Sequence, residues 1–345
     1  MKEQYEITIG IPVYNSFDYI LDTMNSALAQ TFPDIEFLIV DDCGDDGTME
    51  VIKELQTNHP RGKDIRVIVN DTNRGVSFSR NRIIDEAKGD YLFFMDSDDT
   101  IEPDTIQLLY NSINNNSAQI AYGSYEIIDT INNTPKEIYQ KTPLVLSGEN
   151  KLAMYAFKNN HIFHVSVCNQ LIDMSFLRQT GVRFLDVSYW EDMAFTTELV
   201  TKVTKSVLLS EVTYHYNRRQ GSLSHYQTRE SFEKQEILKN ITVIQYLKDK
   251  CRTLMGKQYL SYLCYNLEMD SFYSVCHIMR NSCRITPKIS SSEMRSILRH
   301  PLSMVEILKF KHKMFPNLFL GIIAYLPIPL FLLTILLLGK MKRAI

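Results

Sequence analysis

The chain has 345 residues and a formal net charge of −3, so it can hold one large domain with appendages, or two domains. The near-neutral balance argues against a generic nucleic-acid binder, which would normally carry a basic excess. Six scattered cysteines with no C-x-x-C pair, and no N-terminal secretory segment, read as reduced thiols of a cytoplasmic protein.

In chain order, residues 7–13 predict a strand ending at Tyr14-Asn15, and residues 17–30 carry helix-spaced apolar positions. A second strand, 35–40, stops at Asp41-Asp42; Gly44 and Gly47 mark a turn before a helix over 49–56. Residues 65–69 predict a third strand, 77–87 a helix, and 91–95 a fourth strand that runs into Asp96-Ser97-Asp98-Asp99. Alternating short strands and helices imply an α/β fold with a mostly parallel sheet covered on both faces. Ligands of such sheets collect outside the carboxyl ends of the strands, where all three polar strand ends fall.

Three carboxylates on one turn repel each other unless part of the set is protonated. A divalent cation shared with a phosphorylated ligand relieves this, because hard Mg²⁺ or Mn²⁺ takes carboxylate and phosphate oxygens together. The alternative is a plain strand-ending acidic turn. Neither G-x-G-x-x-G nor G-x-x-x-x-G-K-[ST] is present, so phosphates would be held through a cation and basic side chains instead of a glycine cradle. Arg74, Arg80 and Arg82, just before the fourth strand, can supply those side chains; a solvated helix face is the other reading for Arg74 and Arg82. His161 and His164 lack a third zinc ligand, and Asn111 to Asn116 read as a helix end.

Residues 9–15 (IGIPVYN), 40–48 (VDDCGDDGT), 73–81 (NRGVSFSRN) and 89–99 (GDYLFFMDSDD) resemble, in order and spacing, the signature of glycosyltransferase family 2. Residues 190–195 (WEDMAF) are similar to its E-D-x-x-F segment, and 214–224 more loosely to its Y-x-Y-x-x-R…S-x-S stretch. The resemblance implies a GT-A fold, a nucleotide-diphospho-sugar donor, Mn²⁺ or Mg²⁺, and inversion at the anomeric carbon. It implies that Pro12 and Tyr14 line the base pocket, with Asn15 beside them in the nucleotide site, and that Asp42 hydrogen-bonds the base or ribose. Arg80 would lie near the base or phosphates, Asp96 would contact the ribose and share the metal with Asp98, and Asp99 would support them. Asp192 would be the general base, Glu191 would shape the acceptor site, and Arg219 would meet the diphosphate. Asn217 stands where the family usually has Arg, and no Q-x-x-R-W follows, which speaks against a processive synthase.

Two rivals use the same residues. Asp96-Ser97-Asp98-Asp99-Thr100 also fits the D-x-D-x-T nucleophile motif of haloacid-dehalogenase-type phosphatases, although those enzymes open on the motif. An inactive homologue that only binds sugars is the other, and intact Asp98 and Asp192 speak against it.

Residues 232–247 and 259–279 predict helices whose aromatics read as packing residues, in the segment where acceptor specificity or homo-oligomer contacts would naturally sit, and 287–292 a linker. Residues 318–338 form an uncharged apolar run broken by Pro327 and Pro329. Its length matches the ~20 residues of a membrane span, or a buried core helix. Basic residues flank both ends, which fits a re-entrant or interfacial anchor on the cytoplasmic face better than a single-pass helix. The expected division is a glycosyltransferase domain over 1–225, a helical region over 226–313 and a membrane-anchoring tail over 314–345. A glycan or lipid-linked acceptor suits that position.

Overall fold

The computed structural model describes residues 4–129, 136–159, 166–187, 189–218 and 230–344. In chain order the elements are β1 (Tyr5–Val13), α1 (Phe17–Leu28), β2 (Ile35–Asp41), α2 (Thr48–Asn58), β3 (Ile65–Val69), α3 (Val76–Glu86), β4 (Gly89–Phe94), β5 (Thr100–Ile101) and α4 (Thr105–Asn116). They continue with β6 (Ile120–Asp129), β7 (Glu137–Tyr139), β8 (Leu144–Ser147), α5 (Lys151–Lys158), β9 (Gln170–Asp173), α6 (Met174–Thr180), α7 (Glu191–Val200) and β10 (Lys205–Arg218). Beyond these lie β11 (Phe232–Glu233), α8 (Lys234–Cys251), α9 (Leu260–Arg280), β12 (Ile285–Thr286), α10 (Ser291–Ile297), α11 (Met304–Ile307), α12 (Met314–Ile323) and α13 (Ile328–Met341). The chain divides into two compact units: Met1–Leu152 with Val165–Asp186 and Glu198–Leu223, and Ala153–His164 with Val187–Thr197 and Ser224–Ile345.

The first unit is built on a mixed sheet in the order β3-β2-β1-β4-β9-β6-β10-β5. Its first four strands are parallel neighbours, and Ile9 lies opposite both Phe37 and Phe93. β1 and β2 are buried almost end to end, as expected of parallel strands covered on both faces. β9 then joins β4 to β6 in antiparallel sense, while β10 runs parallel to β6. The sequence pattern therefore predicts the α/β class correctly, and the antiparallel pairings are confined to the later half. Gly10 explains how α3 seats so closely on β1: a Cβ there would lie 2.4 Å from Ile83 Cγ2.

The second unit has its own apolar core, in which Phe272, Val275 and Cys276 of α9 meet Phe331 and Ile335 of α13. Within it, Lys248 of α8 is 2% exposed and its Nζ sits 2.7 Å from Glu268 Oε1 of α9, itself fully buried. The same ammonium donates to the carbonyls of Ile297 and Arg299, both at 2.9 Å. Residues 287–292 are a short connection, not a free linker: Ile289 is buried in the core, and Ser290 with Glu293 forms a capping box that opens α10.

The apolar tail departs from one of its expected arrangements. The run is two helices, α12 and α13, separated at residues 324–327, and Pro327 and Pro329 set that boundary. At 1.5 Å per residue they are about 15 and 21 Å long, short of the ~30 Å hydrocarbon layer. Among the described residues no helix is long and apolar enough to cross a membrane, so the run is not one continuous spanning helix. One side of each helix is instead core: Leu320 and Ile323 of α12, Phe331 and Ile335 of α13. A polar lock fixes α12 as well. Buried Asn317 donates to Ser261 O at 3.0 Å and Lys313 O at 2.8 Å, and His300 Nε2 donates to Asn317 Oδ1 at 3.0 Å.

Candidate active site

β4 delivers buried Met95 to the sheet edge, and the chain then turns through four polar residues. Asp96, Ser97 and Asp98 are partly exposed, whereas Asp99 is buried. Asp96 Oδ1 accepts from Arg80 Nη2 at 2.8 Å, and the Arg80 guanidinium lies 5.5 Å from the centre of the Phe184 ring. Arg80 is 3% exposed, and a cation so buried has to be paired. Ser97 Oγ shares a hydrogen bond of 2.7 Å with Ser16 Oγ, tying the turn to the segment after β1.

Asp99 is the fulcrum of the turn. Its carboxylate accepts from Tyr214 OH at 2.7 Å and from the Asn217 backbone N–H at 2.8 Å. Tyr214 OH in turn accepts from Asp96 N at 3.2 Å, and Asn217 Nδ2 donates to Asp98 O at 2.9 Å. β10 therefore clamps the backbone on both sides of the acidic residues. Burial, then the charges of Asp98 and Asp96, push the Asp99 carboxyl well above the usual carboxylate range, against the two hydrogen bonds that favour its charged form. Removing the Tyr214 hydroxyl leaves Asp96 N and Asp99 short of a buried partner. Tyr214→Phe should thus lower unfolding stability by about 1–3 kcal/mol in urea titrations. A change within the usual ±0.5 kcal/mol of a neutral surface substitution would show that the clamp holds without the hydroxyl.

The ends of β1 and β2 are braced in the same way. Asn15 adopts a left-handed conformation (φ 47°), which asparagine tolerates better than most residues. Its Oδ1 accepts from Asp45 N at 2.9 Å, and its Nδ2 donates to Asp45 Oδ1 at 3.3 Å. A Cβ on Gly44 would come within 2.8 Å of Asn15 Oδ1, so the close approach of these two loops needs glycine there. Asp42, 3% exposed, accepts from Asn70 Nδ2 at 2.7 Å, Arg74 N at 2.9 Å and Gly75 N at 2.7 Å. A carboxylate has about four acceptor positions, so these leave room for about one more donor. Arg82 is a strut that donates to Val69 O and Asn70 Oδ1, both at 2.7 Å, and Arg74 stacks on Phe78 at 3.8 Å. Pro12 is buried, whereas Tyr14 is half exposed at the same edge.

The structure thus gathers Pro12, Tyr14, Asn15, Asp42, Arg80, Asp96 and Asp98 along the carboxyl ends of β1, β2 and β4 and on α3. Glu191 and Asp192 open α7, whose first turns belong to the second unit; there Thr196 Oγ1 donates to Asp192 O at 2.6 Å. Arg219 and the residues after it to 229 lie outside the described residues, as do His161 and His164. Among the described residues no three His, Cys, Asp or Glu side chains form a complete metal cage. The partly exposed pair Asp96 and Asp98 suits a cation that takes its remaining ligands from phosphate and water, the usual mode of Mg²⁺ at nucleotide sites.

Comparison with known proteins gives the family and the fold. The family described as Glycosyl transferase family 2 matches residues 8–181, half of the chain. A Bacillus subtilis protein named as a teichuronic acid biosynthesis glycosyltransferase, TuaG, is 28% identical over 219 residues, 63% of this chain and 81% of the relative. The succinoglycan biosynthesis protein ExoO of Rhizobium meliloti is 26% identical over 64% of this chain and 62% of its own. The poly(ribitol-phosphate) beta-glucosyltransferase of Bacillus spizizenii is 29% identical over 61% of this chain, but the match spans only 32% of that protein. Among solved structures, S. aureus TarS 1-349 in complex with UDP-GlcNAc superposes with a TM-score of 0.67 at 17% identity, covering 92% of this chain and 90% of that one. Its complex with UDP gives 0.64, at 18% identity. With the acidic turn, the buried arginine and the parallel strand ends in place, the chain belongs to glycosyl transferase family 2 and is a GT-A-fold glycosyltransferase.

Proposed function

We propose that this enzyme moves one sugar, with inversion, from a nucleotide-diphospho-sugar to a glycan or lipid-linked acceptor in surface polysaccharide synthesis, using Mn²⁺ or Mg²⁺. The observation that carries the reading is the clamped acidic turn, with Asp96 and Asp98 partly exposed beside buried Arg80. Relatives named for teichuronic acid, succinoglycan and poly(ribitol-phosphate) chemistry support the pathway. TarS complexes with UDP and UDP-GlcNAc support UDP as the nucleotide. Asp98, with Asp96, would hold the cation, which when bound offsets the charge of the leaving diphosphate. Tyr14 and Pro12 border the base, Asn15 braces that border, and Asp42 fixes the 70–75 loop and offers its remaining acceptor position to base or ribose. Arg219 meets the diphosphate. Asp192 accepts the proton of the acceptor hydroxyl as its oxygen attacks the anomeric carbon, the C–O bond to the diphosphate breaks on the opposite side, and Glu191 shapes the acceptor site. One base with in-line attack gives inversion; retention by double displacement would need a nucleophilic carboxylate besides.

In this reading catalysis belongs to residues 1–225, acceptor or homo-oligomer contacts to 226–313, and attachment to the cytoplasmic face of the membrane to 314–345. A thermal-shift panel of UDP, GDP, CDP and dTDP, with and without Mn²⁺, tests the donor site. A nucleotide at about 100 times its dissociation constant should add about 2.7 kcal/mol. We expect a Mn²⁺-dependent response to UDP that Asp98→Ala abolishes. An undiminished response in Asp98→Ala, or none to any nucleotide in the parent enzyme, would refute the metal-bridged donor site.

A further inference from the structure

We infer that α12 and α13 form an in-plane docking surface for an anionic bilayer, lying in the headgroup region instead of entering the hydrocarbon. The inference rests on the membrane position proposed above and names the surface responsible. Each helix has two apolar rows. The inner rows are committed to the core of the second unit, through Leu320 and Ile323 and through Phe331 and Ile335. The outer rows are uncovered: Phe315, Phe319 and Ile322 on α12, and Leu330, Leu333 and Leu337 on α13, each 48–75% exposed. Their spacings of three, four and seven residues place each set on one helix face. Exposed apolar faces of this extent mark interaction sites in soluble proteins.

Charge selects the occupant. Residues 301–345 contain a single carboxylate side chain, Glu306, against Lys309, Lys311 and Lys313 before the apolar rows and Lys340, Lys342 and Arg343 after them. The chain as a whole is negative, so this basic bias is local. Because both ends of the surface are basic, pairing with a second copy through these rows, in either direction, sets cations against cations. Anionic headgroups reverse that repulsion and leave the apolar rows at the acyl boundary. Re-entrant insertion is disfavoured by the inner rows, which would have to leave their own core, and by the Asn317 lock that fixes α12.

The test is flotation of the full chain with vesicles of phosphatidylglycerol and phosphatidylcholine, and with phosphatidylcholine alone. Binding should require phosphatidylglycerol and weaken at 1 M salt, where the Debye length falls to about 3 Å. The triple change Leu330→Glu, Leu333→Glu, Leu337→Glu should cut partitioning at least about tenfold, since apolar burial and charge both contribute to interfacial binding. Its circular dichroism should be unchanged, because these side chains face outward. Lys340→Glu with Lys342→Glu should weaken binding without touching the apolar rows. Vesicle binding that survives the triple change would overturn the inference while leaving a membrane position by another surface. Absence of binding to either vesicle would overturn both. A dimer in mass photometry that the triple change converts to monomer, without vesicle binding, would assign the surface to a second copy and likewise overturn the inference.

Discussion

Asp192→Asn should lower kcat for sugar transfer by about 10²–10⁴-fold, the usual contribution of a positioned general base. Asparagine keeps the volume and one acceptor oxygen of aspartate but cannot take a proton at neutral pH. The acceptor hydroxyl would then have to lose its proton to water while its oxygen attacks. The nucleotide-induced thermal shift should survive the change, since Asp192 opens α7 and the residues assigned to the donor lie along β1, β2, β4 and α3. This split distinguishes a base from a residue that merely holds the fold. Single-turnover transfer at saturating donor is the appropriate readout. Near-normal turnover in Asp192→Asn would remove it from the mechanism, and Glu191→Gln would then be the next variant to assay.

The largest stability effect is expected at Lys248. Lys248→Met should destabilise the second unit by about 3–5 kcal/mol, the range for removing one partner of a buried ion pair. That is a large share of a total near 5–15 kcal/mol. The loss has two sources: Glu268 is left as a buried carboxylate, and the carbonyls of Ile297 and Arg299 lose their donor. Adding Glu268→Leu to Lys248→Met separates them, because a buried pair replaced by apolar residues is often neutral or stabilising. Recovery of most of the loss in the double variant would identify the orphaned carboxylate as its main source. Urea unfolding followed by far-ultraviolet circular dichroism reads the helices directly. A single variant within about 1 kcal/mol of the parent, the typical effect of an ordinary substitution, would show that the Lys248–Glu268 pair does not hold the unit together.

Sequence periodicity was informative wherever the pattern is local. The first four strands and their helices fall within a few residues of the expected bounds, because parallel strands buried on both faces are continuous apolar runs. The acidic turn was legible for the same reason. Its support was not: Tyr214 and Asn217 lie more than a hundred positions from Asp99, and nothing in their local pattern shows the register that brings them there. Asp42 stood out as a strand-end carboxylate, yet most of its acceptor capacity goes to a loop of its own unit. Lys248 lies just past the expected helix end at 247, and periodicity cannot tell a buried, paired cation from a surface one. Hydropathy found the tail, and the two prolines marked its break, but which rows face the core is a tertiary fact.

Gly10 gives the Arg80–Asp96 pair a mechanical dependence. The missing side chain is a notch in the sheet that a methyl group of Ile83 fills, and the helix seated there also carries Arg80. Filling the notch, even with one carbon, would lift that helix like a wedge under a lever, and the guanidinium three residues away would be displaced from Asp96. The spacing between the buried cation and the acidic turn is therefore gauged from behind the sheet, by a residue that touches neither partner of the pair.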